Sequence, residues 1–217
     1  MARLFDRAEI PPSPDLRFES ALWQAGVQWV AGLDEAGRGA WAGPVAAGAV
    51  ILPAGPLAEA GLEGVRDSKQ MLPAARQHWA AQIRAHALAW GVGLASSYEI
   101  DKLGIIASTR LAMRRALAAV QITPAHLLID ALRLPDLPIP QTVLIKGDAR
   151  ALSIAAASVL AKTARDALMV EYDSHFPGYG FAQHKGYGTA LHWAALQQTG
   201  PSPIHRASFA PVARCAG

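Results

Sequence analysis

Two small-residue strands around a pair of adjacent carboxylates constrain the fold more than any other feature. Val30-Ala31-Gly32-Leu33 reads as the end of a buried strand, and Asp34-Glu35 close it. A second small-residue run, from Gly43 to Leu52, reads as an antiparallel return strand. Side chains alternate across a strand, so a straight strand would send Asp34 and Glu35 to opposite faces. Gly37 and Gly39 let the chain bend just beyond them, and that bend can bring both carboxylates to one site. Carboxylates held close repel each other, and a divalent cation relieves the repulsion. A hairpin with a solvated polar end is the alternative that this stretch alone leaves open.

A chain of 217 residues, 52% of them apolar, is enough for one large domain with a sizeable core. The expected division is an N-terminal extension over residues 1–28 and a main domain over 29–217. No run reaches the roughly 18 uninterrupted apolar residues a membrane span needs. Met1–Asp6 has no apolar core of signal-peptide type. The single cysteine, Cys215, excludes a disulfide framework and a cysteine metal site. Together these point to a cytoplasmic protein without membrane contact. Residues 1–145 carry 13 basic and 13 acidic side chains, whereas residues 146–217 carry 7 against 4. The whole net charge of +3 therefore sits in the last third, a hint of a polyanion partner.

Further along, Pro73 suits the first turn of a helix that continues over Ala74–Ala87. Trp90–Ala95 alternates as a third strand, and Ile105–Val120 repeats at helical spacing. His126-Leu127-Leu128-Ile129-Asp130 is a short apolar run of the kind found in buried parallel strands. Asp130 thus stands at a strand's carboxyl end, where open α/β sheets bind ligands. Thr142–Ile145 is a fifth strand, running into Lys146-Gly147-Asp148, so acidic residues close three of five strands. Ala151–His175 is the longest helix, and its Ala/Ser face permits close approach to the sheet. Gly180–Gly188 reads as a polar loop and Ala190–Gln198 as a short helix.

Asp34, Glu35, Asp130 and Asp148 make an all-oxygen set suited to Mg²⁺ or Mn²⁺ rather than zinc. Asp130 in a turn and Asp148 as the N-cap of the long helix are the structural alternatives. Gly37-Arg38-Gly39 offers backbone amides and a guanidinium to a sugar–phosphate backbone. Lys69 and Lys146 are candidate phosphate contacts. Tyr187, between two glycines, is a candidate stacking platform for a sugar or base.

These segments resemble type 2 ribonuclease H (RNase HII) in its bacterial form. The resemblance is carried by Gly32–Gly39 with Ala42–Val45, Asp67-Ser68-Lys69, Leu128-Ile129-Asp130 and Lys146-Gly147-Asp148. It continues through Ser153–Lys162 with Arg165-Asp166, Tyr179-Gly180-Phe181, His184-Lys185-Gly186-Tyr187, and His205-Arg206 with Ser208-Phe209 and Pro211-Val212. The resemblance implies an RNase H-like α/β fold: a mixed five-stranded sheet, three strands antiparallel and two parallel, flanked by helices. Residues 29–217 would then be the catalytic domain, ending in a helical C-terminal part. It also implies endonucleolytic cleavage of the RNA strand of RNA–DNA hybrids and incision 5′ of single ribonucleotides embedded in duplex DNA. By that analogy Asp34, Glu35, Asp130 and Asp148 bind the metal and are catalytic. Gly37-Arg38-Gly39 reads the ribose 2′-hydroxyl, and Tyr187 stacks on the following deoxyribose. Ala131 stands where bacterial members often have Gly, and Ala40-Trp41 where Pro-Leu is common. The tail, Ala213–Gly217, has no sliding-clamp motif, and a monomer is expected.

The chemistry so implied is metal-assisted phosphodiester hydrolysis leaving 3′-hydroxyl and 5′-phosphate ends. Another nuclease of the same fold, a type 3 ribonuclease H or a junction resolvase, is the alternative enzyme. A catalytically silent nucleic-acid-binding module would have lost a carboxylate, and all four are present.

Overall fold

At the centre of the sheet, β1 (Val30–Ala36) and β2 (Val45–Ile51) run antiparallel with Leu33 opposite Ala49 and Asp34 opposite Gly48. In this computed structural model the described residues are 10–215, apart from 56, 57 and 59. The Met1–Asp6 segment and the last two tail residues, on which two sequence expectations rest, lie outside them. β3 (Ala89–Ala95) pairs antiparallel with the outer side of β2. On the other side β4 (His126–Asp130) and β5 (Gln141–Leu144) are parallel to β1. The order β3-β2-β1-β4-β5 is the mixed five-stranded sheet that the resemblance implied.

Helices cover both faces. α4 (Ile105–Ala119) buries Ala112, Met113 and Ala116 against Ala31, Leu33, Ala47 and Ala49. On the opposite face, α5 (Leu152–His175) and α2 (Pro73–His86) pack over Val50 and Leu52. Gly32 and Gly48 face α5, where a Cβ would collide with the helix backbone at Ser153 and Ala157. The two glycines thus set the spacing between helix and sheet, and the Ala-rich face of α5 exploits it. Ala151, the N-cap of α5, has no capping side chain. α1 (Arg17–Gln24) supplies one: the fully buried Glu19 accepts from the Ser153 N–H at 2.9 Å and from its hydroxyl at 2.6 Å. The Leu152 N–H donates to the Asp15 carbonyl at 3.0 Å.

Three local readings change. β1 does not end at Leu33 but runs through Asp34 and Glu35 to Ala36, because β2 keeps pairing with it beyond the carboxylates. A further helix, α3 (Ser97–Leu103), follows β3. Its residues are mostly polar, yet Ser96 and Glu99 form a reciprocal capping box that is visible in the sequence. The 180–188 segment is not all loop, since Phe181–His184 forms a helical turn, α6. α7 (Ala190–Thr199) and α8 (Ala210–Ala213) complete the helical C-terminal part.

Candidate active site

β1 and β4 pair only as far as Leu33 and Ile129. The next residue on each strand is a carboxylate, Asp34 or Asp130. Asp34 shares the α5 face with Gly32 and Gly48, while Glu35 leaves on the opposite face. The longer Glu35 still comes round: oxygens of Asp34, Glu35 and Asp130 lie within 4.8 Å of one another. The Gly147 N–H donates to Asp130 Oδ1 at 2.7 Å, and the Glu35 N–H to Asp34 Oδ1 at 2.7 Å. Arg38 Nη1 donates to Glu35 Oε1 at 3.0 Å. Asp34 Oδ2 and Glu35 Oε2 are buried and have no hydrogen-bond partner. Two orphaned carboxylate oxygens beside a third carboxylate are what a hard divalent cation needs, and the residues present fit one.

The electrostatics agree. Burial, then the charges of Glu35 and Asp130, hold the Asp34 carboxyl well above the usual carboxylate range. Burial pushes Asp130 up to about 6, against the opposing pull of the Gly147 N–H. A cation bound here would offset the mutual repulsion that raises these carboxyls and would displace any protons they hold.

Asp148 falls outside that 4.8 Å group, but its charge helps raise Asp130 and Asp34. It lies in a 3₁₀ turn, Gly147–Ala149, and does not cap α5. Its Oδ2 is 3.6 Å from Lys69 Nζ. Burial raises its pKa, with Asp67 adding to the rise and Lys69 opposing it. Lys69 follows Asp67, whose side chain caps the 3₁₀ turn Ser68–Gln70 by accepting from the Lys69 N–H at 2.9 Å. Ala131, just after Asp130, has φ 50°, a left-handed conformation in which Gly would be unstrained.

An open pocket of about 190 Å³ lies over the three carboxylates, rimmed by Gly37, Arg38, Gly39, Lys69 and Tyr187. Lys146 is exposed and does not line it. The two glycines of the rim differ. Gly37 has φ 93°, and a Cβ there would strike the Arg165 side chain. Gly39 has ordinary φ, is exposed, and has nothing within 4 Å of a would-be Cβ. No internal contact requires glycine at 39, so the free space is available to a ligand. Tyr187 is half-buried, with Lys162 Nζ 5.1 Å and Arg165 Cζ 5.2 Å from its ring centre.

Sequence reasoning placed Ser68, Ser158, Lys162, Arg165 and Arg206 in the segments that carry the resemblance but gave none of them a role. Ser68 and Ser158 share a hydroxyl hydrogen bond of 2.9 Å at the pocket floor. Lys162 lines the pocket and donates to Asp166 Oδ1 at 2.6 Å, one turn further along α5. Arg165 and Arg206 are fully buried and spend their donors on main-chain carbonyls. Arg165 reaches Pro44, Ala42 and Lys185 at 2.8, 3.0 and 2.9 Å. Arg206 reaches Gly37, Arg38 and Gly43 at 2.7, 2.8 and 3.0 Å. Burial, then the nearby Arg165 charge, lowers Arg206 to about 9. The i,i+4 spacing of Lys162 and Asp166 was the one signal of a specific contact among them.

The family model for ribonuclease HII matches residues 31–212. A ribonuclease HII of Synechococcus sp. (strain JA-3-3Ab) is 56% identical over 199 residues, covering 92% of this chain and 89% of its own. The crystal structure of ribonuclease H2 from Pyrococcus horikoshii OT3 superposes with a TM-score of 0.70 at 23% identity, covering 87% of this chain and 97% of that one. That of Bst ribonuclease HIII in complex with Mn²⁺ superposes with a TM-score of 0.69 at 20% identity, covering 90% and 71%. The chain belongs to the ribonuclease HII family.

Proposed function

We propose that the enzyme incises duplex DNA 5′ of a single embedded ribonucleotide, as well as cutting longer hybrids, and leaves 3′-hydroxyl and 5′-phosphate ends. Family membership makes it a type 2 ribonuclease H, a divalent-metal-dependent endoribonuclease acting on RNA–DNA hybrids. The finer reading rests on one observation above all: the carboxylate group lies directly beneath a rim with an open backbone at Gly39.

Asp34, Glu35 and Asp130 would hold the metal, Mg²⁺ or Mn²⁺, with Asp148 contributing from beside Lys69. When bound, such an ion lowers the pKa of water and neutralises charge on the departing oxygen. Arg38 neutralises one Glu35 oxygen and leaves the other for the ion. Gly37 and Gly39 let the main chain approach the 2′-hydroxyl, the group that separates ribose from deoxyribose. Arg206 fixes the carbonyls of Gly37 and Arg38, so the reading loop is rigid before substrate arrives. Tyr187, at the rim of the pocket, is assigned to stack on the next sugar. Lys69 and the exposed Lys146 are assigned to phosphates. A monomer acting in the cytoplasm is part of the same proposal.

The test uses an end-labelled duplex with one ribonucleotide, beside an all-DNA duplex and a full hybrid, in Mg²⁺, Mn²⁺ or EDTA. Cleavage one bond 5′ of the ribonucleotide, with a 5′ fragment that a polymerase extends, is expected. Cutting of the hybrid without the embedded site would overturn the finer reading.

A further inference from the structure

Behind the Tyr187 loop lie three buried imidazoles, His184, His192 and His205, exposed by 8%, 0% and 4%. Their proton positions follow from the main-chain groups at each end. The Ser202 N–H is an obligate donor and points at His205 Nδ1 at 2.9 Å, so that nitrogen accepts, and the Ser202 hydroxyl, 2.8 Å from it, can donate to it as well. The His205 proton must therefore sit on Nε2, which faces His192 Nε2 at 3.0 Å. His192 Nε2 then accepts, and its proton is on Nδ1, 3.0 Å from the Tyr187 carbonyl oxygen. That oxygen can only accept. The chain of bonds runs in one direction, from Ser202 through two neutral imidazoles to the backbone of Tyr187. His184 is fixed in the same way, accepting from the Gly186 N–H at Nδ1 and donating from Nε2 to Tyr179. It stacks on His192 with ring centres 4.3 Å apart and 11° between planes.

We propose that His205 and His192 form a hydrogen-bonded positioning relay that sets Tyr187 at the pocket and so sets the preference for deoxyribose beyond the cut. The inference rests on the stacking role proposed for Tyr187. Neither histidine reaches the pocket rim, so neither is a catalytic residue. The relay links the segment Ser202–Arg206 to the site, and the same segment holds the Gly37 loop through Arg206. Burial, which drives both imidazoles down to about 4, keeps them neutral at working pH. A proton added to either would replace an acceptor with a donor facing a donor.

The measurement is the ratio of kcat/KM for a single-ribonucleotide duplex to that for a long hybrid. His192→Leu should lower the ratio about threefold to tenfold, the worth of one net hydrogen bond. His192→Asn keeps an amide N–H near the Nδ1 position and should restore the ratio. His192→Gln carries its amide near Nε2 and should not. In a Tyr187→Ala background His192→Leu should add nothing, because the relay would act only through that ring. ¹⁵N spectra of the wild-type protein, which need no variant to fold, should show the His192 proton on Nδ1 and the His205 proton on Nε2. The opposite tautomers would overturn the relay, and so would an unchanged ratio in His192→Leu where Tyr187→Ala lowers it. An unchanged ratio in Tyr187→Ala itself would instead remove the stacking role, and the inference with it.

Discussion

Two buried polar clusters sit close together in this molecule and are finished in opposite ways. In the imidazole cluster every ring nitrogen of His184, His192 and His205 has a partner. In the carboxylate cluster Asp34 Oδ2 and Glu35 Oε2 have none. An unsatisfied buried acceptor costs about 1–3 kcal/mol, so a fold that keeps two side by side is completed by something it binds. The satisfied cluster is scaffold and the unsatisfied one is site.

The strongest test of the contrast is to remove a ligand oxygen. Asp34→Asn should cut turnover in Mg²⁺ by about a thousandfold or more, several kcal/mol of lost charge stabilisation. A variant that kept wild-type turnover would mean that the orphaned oxygens are not where the metal binds. Next in size is stability without metal. Asp130 titrates at about 6 in the fold against 3.8 for a free side chain, so between those values the native state binds more protons than the unfolded one. The Asp130 contribution to stability in EDTA should therefore fall as pH rises through that window. Asp130→Asn should lack that contribution, so its stability relative to wild type should rise across the window and level off about 3 kcal/mol higher by pH near 8. Denaturant titrations at several pH values check it.

The imidazoles carry the reverse sign. His192 and His205 lie at about 4 against 6.5 when free, so the unfolded state binds the extra protons. Their contribution is complete above 6.5 and is lost as pH falls towards 4, in Asp130→Asn as in wild type. The smallest effect contrasts the two rim glycines. Gly39→Ala should leave stability within about 0.5 kcal/mol. It should nonetheless weaken single-ribonucleotide cleavage roughly tenfold, about the worth of one hydrogen bond to the substrate. Equal loss of stability and activity would show that residue 39 is packed after all.

Much of this was legible in the sequence where one residue type has few uses. Carboxylates after short apolar strands marked the site, and small residues in β1, β2 and α5 marked the tight sheet–helix packing. The extent of β1 was not legible, since a strand running through Asp-Glu needs a partner, and only β2 shows that it has one. Asp148 read as a fourth member of the set or as the cap of α5; the cap reading fails because it lies in the turn after β5, ahead of the Ala151 N-cap. Least legible were Arg165, Arg206 and the histidines. A buried guanidinium looks like a surface one until the fold brings Arg206 to the Gly37 carbonyl, 169 residues away in sequence. The Glu19 cap of α5 is hidden for the same reason, 134 residues from Ser153.

The contact of Gly32 and Gly48 with the α5 backbone bears on how the chain can diverge. α5 has no room to lift or roll, so its register along the sheet is locked between Ser153 and Ala157. Ser158, Lys162 and Arg165 are carried at fixed heights and angles from that lock. Inserting or deleting one residue between Ala157 and Arg165 would rotate the later side chains by about 100° and shift them about 1.5 Å. With the change ahead of Lys162, Lys162 and Asp166 would swing together away from the pocket and Arg76, and Arg165 would abandon three carbonyls at once. The length of this stretch of helix cannot drift.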